Sequence, residues 1–192
     1  EGKLAAVICV EDPLREEAAD AVRELKEAGI TKVVMMTGDS ERTAAAIAKR
    51  VGVDEYYSEV LPEDKASFVE KEKELGHKVI MIGDGINDSL ALSSASVGIA
   101  ISDGAAIARE IADVTISADN LHEIVTLKRL STALMKRIHN NYRTIIGING
   151  GLIALGVTGI IMPTTSALLH NMSTLTISLR SMRNLLPKEE EA

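Results

Sequence analysis

From Leu4 to Ala118 the chain alternates short, nearly continuous apolar runs with stretches whose apolar residues recur every three or four positions. LAAVICV is followed by LREEAADAVRELKEAG, KVVMMTGD by SERTAAAIAKRVG, EYYSEV by PEDKASFVEKEKELG and KVIMIGDG by NDSLALSSA; SVGIAI, GAAIAREIA and DVTISA close the series. Strand-length runs without polar alternation are buried on both faces, and strands that alternate with amphipathic helices build βαβ units. The pattern predicts an α/β fold, a Rossmann-like parallel sheet with helices on both faces. Ligands of such sheets sit outside the carboxyl ends of the strands. Two acid-bearing turns fall there, Thr37-Gly38-Asp39 and Gly83-Asp84-Gly85.

The text changes character near residue 143. From Thr144 to Leu179 there is no Asp, Glu, Lys or Arg, and His170 is the only titratable side chain. TIIGINGGLIALGVTGIIM is long enough for a bilayer-spanning helix, with glycines that favour close helix packing. The more polar SALLHNMSTLTISL follows Pro163, so Met162-Pro163-Thr164-Thr165 reads as a tight hairpin between two transmembrane helices. Lys128, Arg129, Lys136, Arg137 and Arg143 precede the pair, and Arg180, Arg183 and Lys188 follow it. Basic residues favour the cytoplasmic side, so two crossings fit where one does not. The expected organisation is a cytoplasmic domain over 1–127, a connecting helix over 128–143, a transmembrane pair over 144–186 and a cytoplasmic tail over 187–192. The lipid bilayer is then a partner, and the chain is expected to be an integral protein of the plasma membrane with residues 1–143 and its C-terminus in the cytoplasm.

Composition removes some alternatives. With 28 Asp+Glu against 21 Lys+Arg and 2% aromatic residues, the chain has neither the basic surface nor the stacking rings of a nucleic-acid binder. The single Cys9 lies in an apolar run, where it reads as a small buried hydrophobe.

MIGDGIND concentrates acid on a glycine-broken turn directly after an apolar run. Asp84 and Asp88, four residues apart at a strand edge, could hold one Mg²⁺, a hard cation that takes oxygen ligands and keeps waters and phosphate oxygens. Thr37-Gly38-Asp39 offers a hydroxyl and backbone N–H groups at a helix start, where an anion is favoured. Lys65 in LPEDKAS supplies a cation for phosphoryl oxygens. Singly each is ordinary turn or surface chemistry. In this order, each after its own βα unit, they read as a phosphoryl site.

TGDSERTAAAIAKRVGV, EVLPEDKASFV and VIMIGDGINDSLALSSASVGIAI together resemble the phosphorylation domain of heavy-metal-transporting P-type ATPases, members of the haloacid dehalogenase-like superfamily. EDPLREEAADAV resembles their upstream Asp-Pro-x-Arg element through Asp12, Pro13 and Arg15. DGAAIAREIADVTI and NLHEIVTLKRLSTALMKRIHNNYRTI resemble the stretch leading into the last membrane pair. The resemblance implies that Asp84 is the Mg²⁺ ligand, with Asn87 and Asp88 completing the site. Thr37 and Gly38 would bind the phosphoryl group, Asp39 would hold that loop, and Lys65 would stabilise the transferred phosphate. It implies a pump that cycles through an aspartyl-phosphate, with ATP held mainly by a domain absent from this chain and a transition-metal ion as cargo. The family's nucleophile stands in an Asp-Lys-Thr-Gly-Thr motif, which the chain does not contain. The expectation is a C-terminal portion of a pump, partnered by upstream nucleotide-binding and transmembrane parts and inactive alone. A membrane-anchored phosphatase of the same superfamily, with Asp12 as its early aspartate, and a non-catalytic partner protein are the competing readings.

For the transported ion, Asn149, His170, Asn171 and Thr174 are the candidate ligands, because polar groups inside a span are functional candidates. Asn149 stands where copper-transporting members have a Tyr-Asn pair, but Ile148 precedes it, and the lysine of zinc and cadmium members is absent. HNMST resembles the His-Glu-x-x-Thr of the cobalt- and iron-related branch, with Asn171 in place of the glutamate. Imidazole with oxygen ligands suits Mn²⁺, Fe²⁺, Co²⁺ or Zn²⁺ better than Cu⁺. His170 reads equally as a ligand or as an interhelical hydrogen-bond partner.

Overall fold

The computed structural model describes residues 14–83, 87–101, 110–116 and 120–185. The sequence readings on Cys9, Asp12, Pro13, Asp84 and Lys188 lie outside the described residues. The chain divides into two compact units, Glu1–Val125 and Thr126–Ala192.

In the first unit the order is α1 (Ala18–Glu27), β1 (Val34–Met36), α2 (Glu41–Val51), β2 (Glu55–Tyr57), α3 (Pro62–Glu74), β3 (Ile80–Gly83), α4 (Ser89–Ser94), β4 (Val97–Ile101) and β5 (Val114–Ile116). All pairings are parallel: β1 with β2 through Met35 and Tyr56, β3 with β4 through Ile82 and Ile99, and β4 with β5 through Ala100 and Thr115. The parallel α/β reading holds, and among the described residues the strands fall into two groups, β1-β2 and β3-β4-β5, with the expected strand LAAVICV lying outside those residues. Among the described residues β1 and β3 each pair along one edge only, so no described strand joins the groups.

The helices form where the apolar periodicity and the ends agree. α2 buries Ala44 and Ala48, one turn apart, and closes on Gly52, whose amide reaches the Ala48 carbonyl at 2.9 Å. α3 opens with Pro62 in its first turn, and the Asp64 carboxylate accepts the Leu61 amide at 3.3 Å. The core is Val69 of α3, Met81 of β3 and Ala91 and Leu92 of α4, with Met36 of β1 packed against it. Each large side chain buried there contributes about 1.5–3 kcal/mol. This cluster fixes α3 and α4 beside β3, which is what brings their polar ends together.

The second unit is a helical hairpin. α5 (His122–Val157) is one continuous helix, taking in both the expected connector and the start of the expected first span, and α6 (Pro163–Ser181) returns antiparallel to it. The turn differs from the sequence reading. It occupies Thr158 to Met162, with Gly159 at φ +72°, and Pro163 opens α6 instead of sitting in the turn. Proline at a first helical position loses no hydrogen bond and has its φ preset for the helix, which is why a residue read as a breaker acts as a starter. The shift shortens the uncharged part of α5 to Thr144–Val157, about 21 Å at 1.5 Å per residue against a hydrocarbon core of about 30 Å. α6 is diluted by His170, Asn171 and a series of Ser and Thr. Among the described residues no helix is long and apolar enough to cross a membrane.

Arg137 fastens the open end of the hairpin. Its guanidinium donates to the carbonyls of Ser181 at 3.0 Å and Asn184 at 2.8 Å, and to that of Arg183. These are groups near a helix C-terminus that have no intrahelical donor, and a cation there also complements the helix dipole. Asn141 adds a bond to the Ser181 hydroxyl at 2.7 Å.

Candidate functional site

β1 delivers Thr37 to its carboxyl end, and α2 begins four residues later. The Thr37 hydroxyl donates to Asp39 Oδ2 at 2.8 Å and accepts the Asp39 amide at 3.1 Å, which curls the Thr37-Gly38-Asp39 turn onto itself. The main chain of the turn is bonded to the next loop: the Thr37 amide to the Tyr57 carbonyl at 3.0 Å, the Val60 amide to the Thr37 carbonyl at 3.0 Å and the Glu59 amide to the Asp39 carbonyl at 2.9 Å. Gly38 has room for a side chain, the nearest atom to an added Cβ being the Val60 carbonyl oxygen at 3.9 Å.

Lys65, on the first turn of α3, reaches Asp88 Oδ1 at 2.8 Å, with side chains only 15% and 12% exposed. Asp88 is the residue before α4, and its carbonyl accepts the Leu92 amide at 2.8 Å. A carboxylate this far from water needs its ammonium partner. Gly83, the last residue of β3, makes the space: a Cβ there would stand 2.7 Å from the Asp88 Cβ and collide with its carboxylate. Gly83 therefore serves less to bend the chain than to let Asp88 lie flat against the strand end.

Two pairs are thus assembled, Thr37 with Asp39 and Lys65 with Asp88, each at the carboxyl end of its own strand region. Among the described residues no hydrogen bond or ion pair links one pair to the other. Asn87 directly precedes Asp88, and Asp84 lies outside the described residues. Among the described residues no group of three or more His, Cys, Asp and Glu could hold a metal ion. The hard oxygen donors present, Asp88 Oδ2 and Asn87, fit Mg²⁺ chemistry, with Lys65 engaging the other carboxylate oxygen.

In the hairpin, His170 Nδ1 lies 2.9 Å from Asn149 Oδ1, so the two candidates on opposite helices are joined by an interhelical hydrogen bond. Thr174, one turn from His170, spends its hydroxyl on the His170 carbonyl at 3.1 Å, and Ser173 does the same at 2.7 Å. Asn171 is exposed. An open groove of about 650 Å³ runs along the His170–Asn149 pair, lined also by Leu152, Gly156 and Ala167.

The sequence reading did not single out Glu41. Its carboxylate accepts the Tyr56 hydroxyl at 2.8 Å and the Ser58 hydroxyl at 2.5 Å. The Ser58 bond, then the Tyr56 bond, hold its carboxyl below the usual glutamate range, and the same contact raises the Tyr56 phenol. An acid in a first helical turn is common dipole chemistry, so no sequence signal separated it from Glu63 or Asp64.

Comparison with known proteins adds three kinds of likeness. Residues 1–96 match the family model of haloacid dehalogenase-like hydrolases. The chain is 36% identical over 184 residues to the zinc-exporting P-type ATPase of Mycobacterium marinum, covering 95% of this chain and 25% of that protein. It is 43% identical over 169 residues to the copper-transporting ATPase 2 of Rhizobium meliloti, covering 88% of this chain and 20% of that one. A crystal structure of a zinc-transporting PIB-type ATPase in its E2.Pi state superposes with a TM-score of 0.83 at 33% identity, over 92% of this chain and 29% of the other. The chain spans about a quarter of the length of these relatives.

Proposed function

The chain belongs to the haloacid dehalogenase-like hydrolases, and from that premise we propose that it is the portion of an ATP-driven transition-metal pump that carries the Mg²⁺ and phosphoryl-binding motifs and part of the membrane metal path. The observation that carries the reading is the secluded Lys65–Asp88 pair, seated where Gly83 clears space at the end of β3. Likeness over almost the whole chain to metal-exporting P-type ATPases supports extending it to both units.

In this reading the Thr37 hydroxyl and the backbone amides entering α2 orient the phosphoryl group, and Asp39 keeps that hydroxyl in place. Lys65 faces the phosphoryl oxygens with its ammonium, and Asp88 fixes where that ammonium points. Asp84 and Asp88, with Asn87 beside them, would hold Mg²⁺, which when bound neutralises charge that develops on the transferring group. The nucleophilic aspartate comes from a segment outside these residues, since no Asp-Lys-Thr-Gly-Thr occurs in them. The edges of β1 and β3 that no described strand pairs would receive the strand that bears it. ATP is bound mainly by another domain of the same polypeptide.

The hairpin is the membrane part of an integral plasma-membrane protein, with residues 1–143 and the C-terminus in the cytoplasm. Its support is the outward direction of Ile146, Ile153, Leu168, Leu175 and Leu179, which need lipid or other helices to cover them. Asn149, His170, Asn171 and Thr174 line the path of the transported ion. Relatives that export zinc and transport copper leave the ion itself to be assayed.

The test is phosphorylation of the complete polypeptide by ATP across a panel of Zn²⁺, Mn²⁺, Co²⁺ and Cu⁺. A hydroxylamine-sensitive phosphoenzyme that forms with one of these ions and vanishes in Asp84→Ala is the expected result. Normal phosphoenzyme levels in Asp84→Ala would remove the site assignment, and formation indifferent to every metal would remove the pump.

A further inference from the structure

Glu41 is the first residue of α2, and its two carboxylate oxygens take one hydroxyl each, from Tyr56 and from Ser58. Side chains two apart on extended backbone point the same way, so one carboxylate can grip both. Between the two gripped residues lies Tyr57, whose carbonyl accepts the Thr37 amide at 3.0 Å. Just beyond them, Glu59 and Val60 donate their amides to the carbonyls of Asp39 and Thr37. Glu59 stands at φ +54°, a conformation that non-glycine residues rarely adopt and that its surroundings must hold. The side chain of Glu41 thus fastens to α2 the same segment whose main chain fastens the Thr37-Gly38-Asp39 turn.

We propose that Glu41 is a positioning residue for the phosphoryl-binding turn, clasping Tyr56 and Ser58 so that the loop after β2 holds the Thr37 and Asp39 main chain in a fixed conformation. The inference rests on the reading of Thr37–Asp39 as a phosphoryl-binding element. The clasp runs through two acceptor oxygens at the mouth of α2. A carboxylate there complements the helix dipole, and the two hydroxyl donors offset part of the charge it sets near an incoming phosphate. The bonds from Ser58, then Tyr56, also hold the carboxyl below the usual glutamate range. Because Glu41 and Tyr56 are exposed, water competes for these bonds and the effect on function is moderate.

The experiment compares Glu41→Ala, Glu41→Gln and Ser58→Ala in the complete polypeptide, with hydrogen exchange at individual amides and phosphorylation by inorganic phosphate with Mg²⁺ as readouts. In Glu41→Ala the amides of Thr37, Glu59 and Val60 should exchange about tenfold faster, while those of β4 stay unchanged. The phosphate concentration for half-maximal phosphorylation should rise about threefold with the maximal level kept, a split that general unfolding does not produce. Glu41→Gln should restore most of both, since its amide oxygen can accept from one hydroxyl and its amide NH₂ can donate to the other; Ser58→Ala should fall between. Unchanged exchange in Glu41→Ala would overturn the clasp. Faster exchange with an unchanged phosphate requirement, in a background where Thr37→Ala raises that requirement, would show that the clasp does not serve the site and would overturn the inference. If Thr37→Ala and Lys65→Ala both leave phosphorylation intact, the phosphoryl-site reading itself fails, and the inference falls with it whatever the exchange data show.

Discussion

The two units of the chain differ in whether they bury a core of large side chains: among the described residues, Leu92 and Val69 are buried in the first, and α6 of the second buries none. In the first, Leu92 is 1% exposed and the charged Lys65 and Asp88 lie inside, paired; in the second, Val157 is 83% exposed and the polar Asn149 and His170 meet between the helices. The first region packs a core of its own and neutralises the charge it encloses, although Leu61, Leu75 and Leu90 stay exposed. A region that turns apolar residues outward and joins its helices through polar side chains depends on something else to cover it. The difference shows where each unit places its candidate groups: Lys65 and Asp88 at the rim of a packed core in one, Asn149 and His170 along a helix–helix seam in the other.

The largest test of the contrast removes one member of the buried pair. Lys65→Ala should lower the unfolding free energy by about 3 kcal/mol, because it leaves the Asp88 carboxylate enclosed against Gly83 without its cation. The double variant Lys65→Ala with Asp88→Ala should recover part of that loss, since no unpaired charge remains. Urea unfolding of the complete polypeptide, followed by a probe in the first unit, measures both. A loss below about 1 kcal/mol for Lys65→Ala would place the pair among solvated surface bridges and erase the distinction between the units.

That pair also marks how far the sequence could be read. Lys65 and Asp88 stand out as motif members, yet nothing in PEDKAS or GIND says that the two side chains touch; α3 and α4 must first pack on β3 through Val69, Met81 and Leu92. The parallel α/β architecture was legible because short apolar runs alternate with helix-period stretches; β4 is buried at Gly98, Ile99 and Ala100, whereas β2 is exposed throughout. The grouping of the described strands into β1-β2 and β3-β4-β5 was not, because strand order has no local signature. In the hairpin the uncharged run was plain, but Thr158-Gly159 reads as part of a span until Gly159 is seen at positive φ. Pro163 reads as part of the turn because no local signal separates a breaker from a first helical residue. Glu41 escaped notice for a related reason: its partners, Tyr56 and Ser58, lie 15 and 17 residues away on another element.

A smaller effect belongs to the seam. His170→Ala breaks the bond to Asn149, and interhelical hydrogen bonds of this kind are worth about 0.6 kcal/mol on average, so the hairpin should stay folded. Metal-stimulated turnover should nevertheless change, while phosphorylation by inorganic phosphate stays near the unaltered level. Asn149→Ala tests the same bond from the other helix. If both variants leave the metal dependence untouched, the seam is structural, and the hairpin does not keep chemistry where the first unit does.

The smallest expected effect comes from acid and base, and it separates the units by their titratable groups. The β1–β2 region is laced with exposed ionic contacts: the Lys26 bond, then the Val33 amide, hold Asp54 below the usual aspartate range, and Lys32 does the same for Glu55. Glu41 is held down by Ser58 and Tyr56. For these carboxyls the folded pKa lies below the unfolded one, so their contribution is complete above the unfolded values of 3.8 for aspartate and 4.5 for glutamate and is lost as pH falls through the folded values. Lys32, raised from 10.5 by Glu55, and Tyr56, raised from 10.0 by Glu41, work at the other end: their contribution is complete below those values and is lost as pH rises through the folded ones. Amide exchange, corrected for its intrinsic pH dependence, should therefore show β1 and β2 loosening first below about pH 4, more gently at high salt because the pairs are solvent-screened. The segment Thr144–Val157 of α5 carries no acid or base and should keep its protection through the same acid range. Equal loss in both segments would mean that acid acts through global unfolding, and the exposed ionic contacts would then have no local hold on the sheet edge that positions Thr37.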